Sequence, residues 1–244
     1  MEPIGVAVVI PTFNEVQSIG GVVTEIAHDL VREIIIVDGG SSDGTREAAV
    51  ATGARVIAVG GGYGRACAEG VAAAPSECGI VVFMDGDGAD RGDLIARLVD
   101  PIHRGDCDFA IGSRLRGERE PGAMSRCQLL AGWLAGFGIR ALYGVRYTDM
   151  CAFRAIRRDC LERLGMREIT YGWNIEMQMR AARAGLRILE VPMPYRRRRG
   201  GKSKVAGSVR GTLRAGCRIA LTFLRVAAAS SGSQPPSREP STTR

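Results

Sequence analysis

The chain has 244 residues, enough for one large α/β domain or one domain with appendages, and its 45% hydrophobic and 24% charged residues exclude a wholly disordered, collagen-like or disulfide-scaffold protein. Residues 1–110 carry 7 Arg against 17 acidic side chains, whereas residues 111–244 carry 26 Lys and Arg against 9. The net +7 fits nucleic acid or a membrane surface, but an acidic half joined to a basic half equally fits a metal site facing cations that hold phosphates. In chain order, Val6 to Ile10, Ile34 to Val37 and Ile80 to Met84 are short β-branched runs that end in turn-forming or acidic residues. Helix-compatible segments at 16–30, 45–52 and 64–74 lie between them, so the first third predicts strands and crossover helices of a parallel sheet. Ligands of such sheets sit beyond the carboxyl ends of the strands. Asn14-Glu15, Asp38 and Asp85-Gly86-Asp87 occupy three of those ends.

Further along, the sequence predicts a helix at 93–103, a buried strand at 109–114, and a helix in which Leu130, Trp133, Leu134, Phe137 and Ala141 recur at three- and four-residue spacing. Residues 147–154 read as a short strand or loop, 174–184 as a helix and 186–191 as a strand closed by Pro192. A basic loop (196–204), a helix (208–228) and a Ser/Pro-rich tail follow, the tail expected to be disordered. The seven cysteines form no Cys-x-x-Cys pair, so neither a zinc site nor a disulfide framework is expected, and a reducing cytoplasm is the natural compartment. Val6 to Ile10 is too short and wrongly flanked for a signal peptide, and the 13 charge-free residues of 127–139 fall short of the roughly 18–20 that cross a bilayer.

Asp85 and Asp87 stand two apart, so on extended backbone both carboxylates reach one side and one hard cation, Mg²⁺ or Mn²⁺, completed by water and phosphate oxygens. Gly86 between them is expected to let a ligand approach the backbone. The run from Gly60 to Ala66 lacks the Gly-Lys-Ser/Thr ending of a phosphate-binding Walker loop; it reads either as a helix entry that brings Arg65 near a donor or as a structural turn. The cluster Arg196-Arg197-Arg198-Arg199-Gly200-Gly201-Lys202-Ser203-Lys204 has only Tyr195 as an aromatic companion, so no stacking platform and no nucleic-acid partner is expected.

Val8-Val9-Ile10-Pro11-Thr12-Phe13-Asn14-Glu15, Ile35-Ile36-Val37-Asp38-Gly39-Gly40-Ser41-Ser42-Asp43-Gly44-Thr45 and Val82-Phe83-Met84-Asp85-Gly86-Asp87 resemble the three opening motifs of family 2 glycosyltransferases of GT-A fold. The later part is similar to polyprenyl-phosphate sugar synthases of the dolichol-phosphate mannose synthase type. Gly112-Ser113-Arg114, Thr148 to Arg154, Glu176, Glu190-Val191-Pro192 and Arg199 to Lys204 carry that likeness, which covers about residues 5–225. It implies one α/β domain, Rossmann-like, with a mainly parallel central sheet flanked by helices and a C-terminal amphipathic helix. Residues 1–110 are its nucleotide-binding half, 111–228 its acceptor half and 229–244 the tail.

The resemblance implies an inverting transfer of a hexose from a nucleotide diphosphate sugar to a polyprenyl phosphate, with Asp85 and Asp87 on the metal. Transfer to a hydroxyl of a glycan or small molecule is the alternative, and a non-catalytic nucleotide-sugar binder the alternative of another class. Pro11, Thr12, Phe13, Glu15, Val37, Asp38, Arg65, Asp85 and Gly86 then line the nucleotide, Glu15 near the ribose and Asp38 near the base. A single acid at Asp38-Gly39, where many relatives carry two, leaves UDP and GDP both open; Ala89 stands where some relatives have a third metal ligand, with Asp90 or water as substitutes. Arg199, Lys202 and Lys204 close on the pyrophosphate, and Arg114 and Arg126 grip the acceptor phosphate. Asp87, Asp149 and Glu176 are the catalytic candidates: a hydroxyl acceptor needs Asp149 or Glu176 as base, an ionised phosphate needs none. In that case Asp149 orients the sugar or the metal-bound waters. Trp173 and Tyr171 read as sugar-stacking or core.

The apolar face of Trp133, Leu134 and Phe137 reads first as core and second as membrane-facing. On the C-terminal helix Arg210, Arg214, Arg218 and Arg225 fall within about 80° of arc beside Leu213, Cys217, Leu221 and Leu224, the pattern of an interfacial helix drawn to anionic lipid. A cytoplasmic protein, peripheral on the inner face of the membrane, is the expectation.

Overall fold

Parallel strands covered by helices on both faces must be apolar on both faces, and the β-branched runs of the first third meet that demand. They form β1 (Gly5–Thr12), β2 (Val31–Asp38) and β4 (Cys78–Phe83), with the four-residue edge strand β3 (Arg55–Ala58) beside β2. The structure, a computed structural model, describes residues 4–26, 29–200 and 209–230. Three crossover helices alternate with these strands: α1 (Ile19–Glu25), α2 (Thr45–Val50) and α3 (Tyr63–Ala73). After them come α4 (Ala96–His103), β5 (Phe109–Ser113), α5 (Arg126–Tyr143), β6 (Arg154–Arg157), α6 (Arg158–Leu164), α7 (Trp173–Arg183), β7 (Ile188–Pro192) and α8 (Val209–Ser230).

The seven strands make one sheet in the order β3-β2-β1-β4-β6-β5-β7. Every neighbouring pair is parallel except those of β6, which runs antiparallel to both β4 and β5. Register aligns the strand ends: Thr12 pairs with Asp38, and Val9 with Phe83 just before Asp85. The expected convergence of three acidic strand ends therefore follows from pairing geometry. The first helix is shorter than the predicted 16–30. β6 and α6 were not separately predicted; β6 has four residues, and its Arg154 is wholly buried, which hides the apolar signal of a strand.

Helix α5 departs from its first reading as core. Its Ser125 cap accepts from the Gln128 N–H while the Gln128 side chain accepts from the Ser125 N–H, and Gly144, at φ +73°, closes the other end. Between these caps Gly132, Ala135, Gly136 and Ile139 are buried, and Leu130, Trp133, Leu134 and Phe137 face outward. Small residues win the inward face because the backbone is close there: a Cβ on Gly136 would stand 2.2 Å from the Tyr147 carbonyl oxygen. α8 buries Ala215, Thr222 and Val226 and lays Phe223 on Gly138 of α5. Among the described residues no helix is long and apolar enough to cross a membrane, and all seven cysteines are free.

Candidate active site

The loops after β1 and β2 hold each other. Gly39 N–H donates to the Thr12 carbonyl at 2.9 Å, the Asn14 N–H to Ser41 Oγ at 2.8 Å, the Ser42 N–H to Asn14 Oδ1 at 3.0 Å, and the Glu15 N–H to Thr45 Oγ1 at 2.8 Å. Asn14 sits at φ +55°, a left-handed position that an Asn side chain tolerates when it bonds locally. Asp38 is wholly buried beneath this lacework and accepts from Arg46 Nε at 2.5 Å and from the Gly40 and Ser41 N–H groups. Burial would raise its pKa, but the bonds from Ser41, Arg46 and Gly40 outweigh burial and hold the carboxyl below its ordinary range. Asp38 thus organises the loop. Val37 places its side chain in the core, Pro11 and Thr12 are partly or wholly buried, and Phe13 is exposed at the rim.

Beyond β4, Asp85, Asp87 and Asp90 cluster. The Asp85 N–H donates to Asp90 Oδ2 at 3.2 Å and the Ala89 N–H to Asp87 Oδ1 at 2.9 Å. Burial first, then the charge of Asp87, pushes Asp85 up to about 6; burial and the charges of Asp85 and Asp87 push Asp90 up to about 8. Such mutual repulsion marks a site that a cation would relieve. The donor set is all oxygen, and among the described residues no three His, Cys, Asp or Glu side chains form a cage by themselves. Two carboxylates completed by water and phosphate oxygens suit Mg²⁺ or Mn²⁺. Gly86 has a packing reason beside the one expected: a Cβ there would stand 2.7 Å from Thr12 Cγ2, so the glycine packs β1 against β4, and its carbonyl accepts from Ser18 Oγ at 2.8 Å.

A strap from Tyr195 to Gly200 crosses the acids. The Arg196 N–H donates to the Ala89 carbonyl at 3.1 Å and the Arg199 N–H to the Asp87 carbonyl at 2.9 Å, which fixes its height above the cluster. The Arg196 and Arg199 side chains both reach back to Glu25 on α1, so Arg199 is engaged away from the crevice. Arg198 enters it instead. Its Nη2 lies 2.6 Å from Glu15 Oε1 and 3.4 Å from Asp87 Oδ2, bridging the carboxylates expected to serve ribose and metal. The Arg198 Nε–H is buried with no hydrogen-bond partner among the described residues, a donor for an anion. Sequence reading named Arg199, Lys202 and Lys204 and missed Arg198, since four consecutive arginines give no clue to which one turns inward; Lys202 and Lys204 lie outside the described residues.

After β5, Arg114 is clamped. Its Nε and Nη2 donate to the two Asp149 oxygens at 2.7 Å each, its own N–H donates to Asp149 at 2.9 Å, and its guanidinium lies 5.0 Å from the Tyr195 ring centre. Burial would raise the Asp149 pKa, but Arg114 outweighs burial and holds it low, so Asp149 is an anchor for Arg114 and a poor proton acceptor. Glu176 is also not a free base. It is wholly buried, accepts from the Arg167 and Glu168 N–H groups and from Arg180 Nε at 2.9 Å, and holds the loop before α7. Trp173 is core, edge-on to Phe83 at 6.2 Å. At α3 the Gly64 and Arg65 N–H groups are taken by the Thr170 and Ile169 carbonyls, so this helix start is the structural turn, with Arg65 exposed beside Gly60. Arg126 is exposed at the start of α5.

The family model of glycosyl transferase family 2 matches residues 7–165. The chain is 37% identical over 199 residues to a dolichyl-phosphate hexose transferase of Haloferax volcanii, covering 80% of this chain and 84% of the relative. It is 30% identical over 195 residues to the glycosyltransferase AglJ of the same organism, covering 79% of this chain but only 63% of AglJ. Among solved structures it is similar to glucosyl-3-phosphoglycerate synthase from Mycobacterium tuberculosis in complex with Mn²⁺ and UDP-glucose, with a TM-score of 0.72 and 25% identity over 92% of this chain and 79% of that one. With acids at the carboxyl ends of β1, β2 and β4 under a basic strap, on this sheet, the chain belongs to the family 2 glycosyltransferases.

Proposed function

We propose that the protein transfers a hexose, with inversion, from a nucleotide diphosphate sugar to a polyprenyl phosphate. The observation that carries this reading is the meeting of Asp85, Asp87 and Asp90 with the Arg196 to Arg199 strap at the strand ends. Asp85 and Asp87 would hold Mg²⁺ or Mn²⁺, which neutralises charge on the departing diphosphate. Glu15 accepts from the ribose, and Arg198 turns from Glu15 and Asp87 to the diphosphate, offering its buried Nε–H where negative charge develops.

A phosphate acceptor is favoured over a hydroxyl by the state of the two candidate bases. Asp149 is occupied by Arg114 and Glu176 by backbone and Arg180, and an already ionised phosphate needs neither. Arg114, preset by Asp149, with Arg126 nearby in sequence, supplies the charge to hold it. The hydroxyl alternative draws support from the phosphoglycerate-bound crystal structures of the mycobacterial synthase. Residues 1–110 serve the nucleotide and 111–228 the acceptor, followed by a tail. A polyprenyl acceptor puts the enzyme at the cytoplasmic surface of a membrane, where nucleotide sugars are available.

Thermal melts with UDP, GDP and their hexose conjugates, each with and without Mn²⁺, test the donor half, since a ligand bound by the native state raises the melting temperature. A metal-dependent shift selective for one base is expected. No shift at millimolar concentration sinks the donor assignment. Sugar transfer to short polyprenyl phosphates, with phosphoglycerate as competitor acceptor, tests the rest.

A further inference from the structure

Helix α5 turns its small residues to the core and its large apolar ones to the outside. Leu130, Trp133, Leu134 and Phe137 stand 57, 61, 53 and 64% exposed, and the rings of Trp133 and Phe137 stack 5.9 Å apart. At 3.6 residues per turn these four occupy about 100° of arc, one continuous stripe. The adjoining α8, joined to α5 where Phe223 covers Gly138, exposes Leu213, Leu221 and Leu224 beside Arg210, Arg214 and Arg218. Neither helix contains an acidic residue, and together they carry six arginines, of which Arg225 is paired with Glu168 and the other five supply the flanking charge.

That charge selects the occupant. A second copy laid face to face would set arginine against arginine, and residues 231–244 contain no Leu, Ile, Val, Met, Phe, Tyr or Trp to cover the stripe. An apolar stripe with an aromatic pair and one-signed cationic flanks matches an anionic lipid surface, whose headgroups take the arginines and whose acyl boundary takes the rings. We propose that the α5–α8 face docks on anionic lipid, with Trp133 and Phe137 entering the headgroup boundary. The purpose of this docking rests on the lipid-linked acceptor reading above; its content rests on exposure and charge. Gly132, on the inward face of α5, lies so that a Cβ would stand 4.0 Å from Asp149 Oδ1. One helix diameter, about 10 Å, therefore separates the outer face from the Asp149–Arg114 pair.

The test is sedimentation of the full chain with phosphatidylcholine vesicles, with and without phosphatidylglycerol, containing neither nucleotide sugar nor polyprenyl phosphate. Binding is expected to require phosphatidylglycerol, to weaken in about 1 M salt, and to fall about tenfold or more in Trp133→Ser with Phe137→Ser and in Arg214→Glu with Arg218→Glu. All four side chains are exposed, so both double variants should melt with the wild type. Trp173 is buried, so quenching by a spin-labelled lipid reads Trp133. Absent binding, binding indifferent to the Trp133 and Phe137 changes, or a wild-type dimer that the aromatic change turns into monomer overturns the proposal. Vesicle binding with no donor-induced thermal shift would instead keep this face and sink the transferase reading.

Discussion

Arg198 and Asp149 show how single side chains in this site are defined by their partners. Arg198 lies between Glu15 and Asp87, where a metal and a donor would also claim room. Replacing it with Gln should tighten Mn²⁺ binding to the donor-free protein by ~2- to 5-fold, the worth of a partly exposed pair, as read by the free-Mn²⁺ electron spin resonance signal. Unchanged or weaker Mn²⁺ binding would show that Arg198 does not compete there. Asp87→Asn should lower kcat by about 10²-fold or more in a chain that still melts cooperatively, because it removes electrostatic stabilisation and no core contact, while easing the repulsion on Asp85 and Asp90. Asp149→Asn should spare the donor-induced thermal shift and raise the acceptor KM about tenfold or more, because Arg114 loses a charge-assisted anchor. An Asp149 that acted as base would instead drop kcat and move the pH–rate profile.

At the scale of elements, α5 is the instructive case. Its periodicity was readable as three- and four-residue spacing, and the period was right. Which side faces inward was not readable, because a stripe of Leu, Trp and Phe is the ordinary signature of a buried face. The decision came from the backbone of Tyr147, which approaches so closely that only Gly136 fits. Gly136→Val should therefore cost about 1–3 kcal/mol or more in chemical denaturation, while Trp133→Ser, at an exposed position of the same helix, should stay within about 0.5 kcal/mol. Equal costs would mean that the helix is turned the other way. β6 is hard to read along the chain for a related reason: Arg154 at its start is buried against carbonyls of Cys151 and Asn174 and near the Phe109 ring, so a central strand begins with the residue type least expected inside.

For the whole molecule, the acidic half and the basic half meet over one crevice, and this has a pH signature. Asp85 and Asp90 hold protons up to about 6 and about 8 in the folded state, while unfolded aspartates release theirs near 3.9. Between those values the folded state binds more protons, so stability is greatest at the acidic end and falls as pH rises toward 8. Without divalent metal the melting temperature should fall from pH 6 to 8 more steeply in the wild type than in Asp90→Asn, and Mn²⁺ should flatten the wild-type slope. Parallel slopes would remove the repulsion among the three acids. The alternation of strand and helix, the parallel sheet, the three acidic strand ends and the division of charge are legible along the chain, because these are local patterns of period, turn chemistry and composition. That Arg198 enters the crevice, that Asp149 and Glu176 are occupied, that Gly86 and Gly136 serve packing, and that the aromatic stripe of α5 faces out are set by how the folded chain packs. Each depends on which distant backbone or side chain lies within a few ångströms, and no pattern along one chain encodes that.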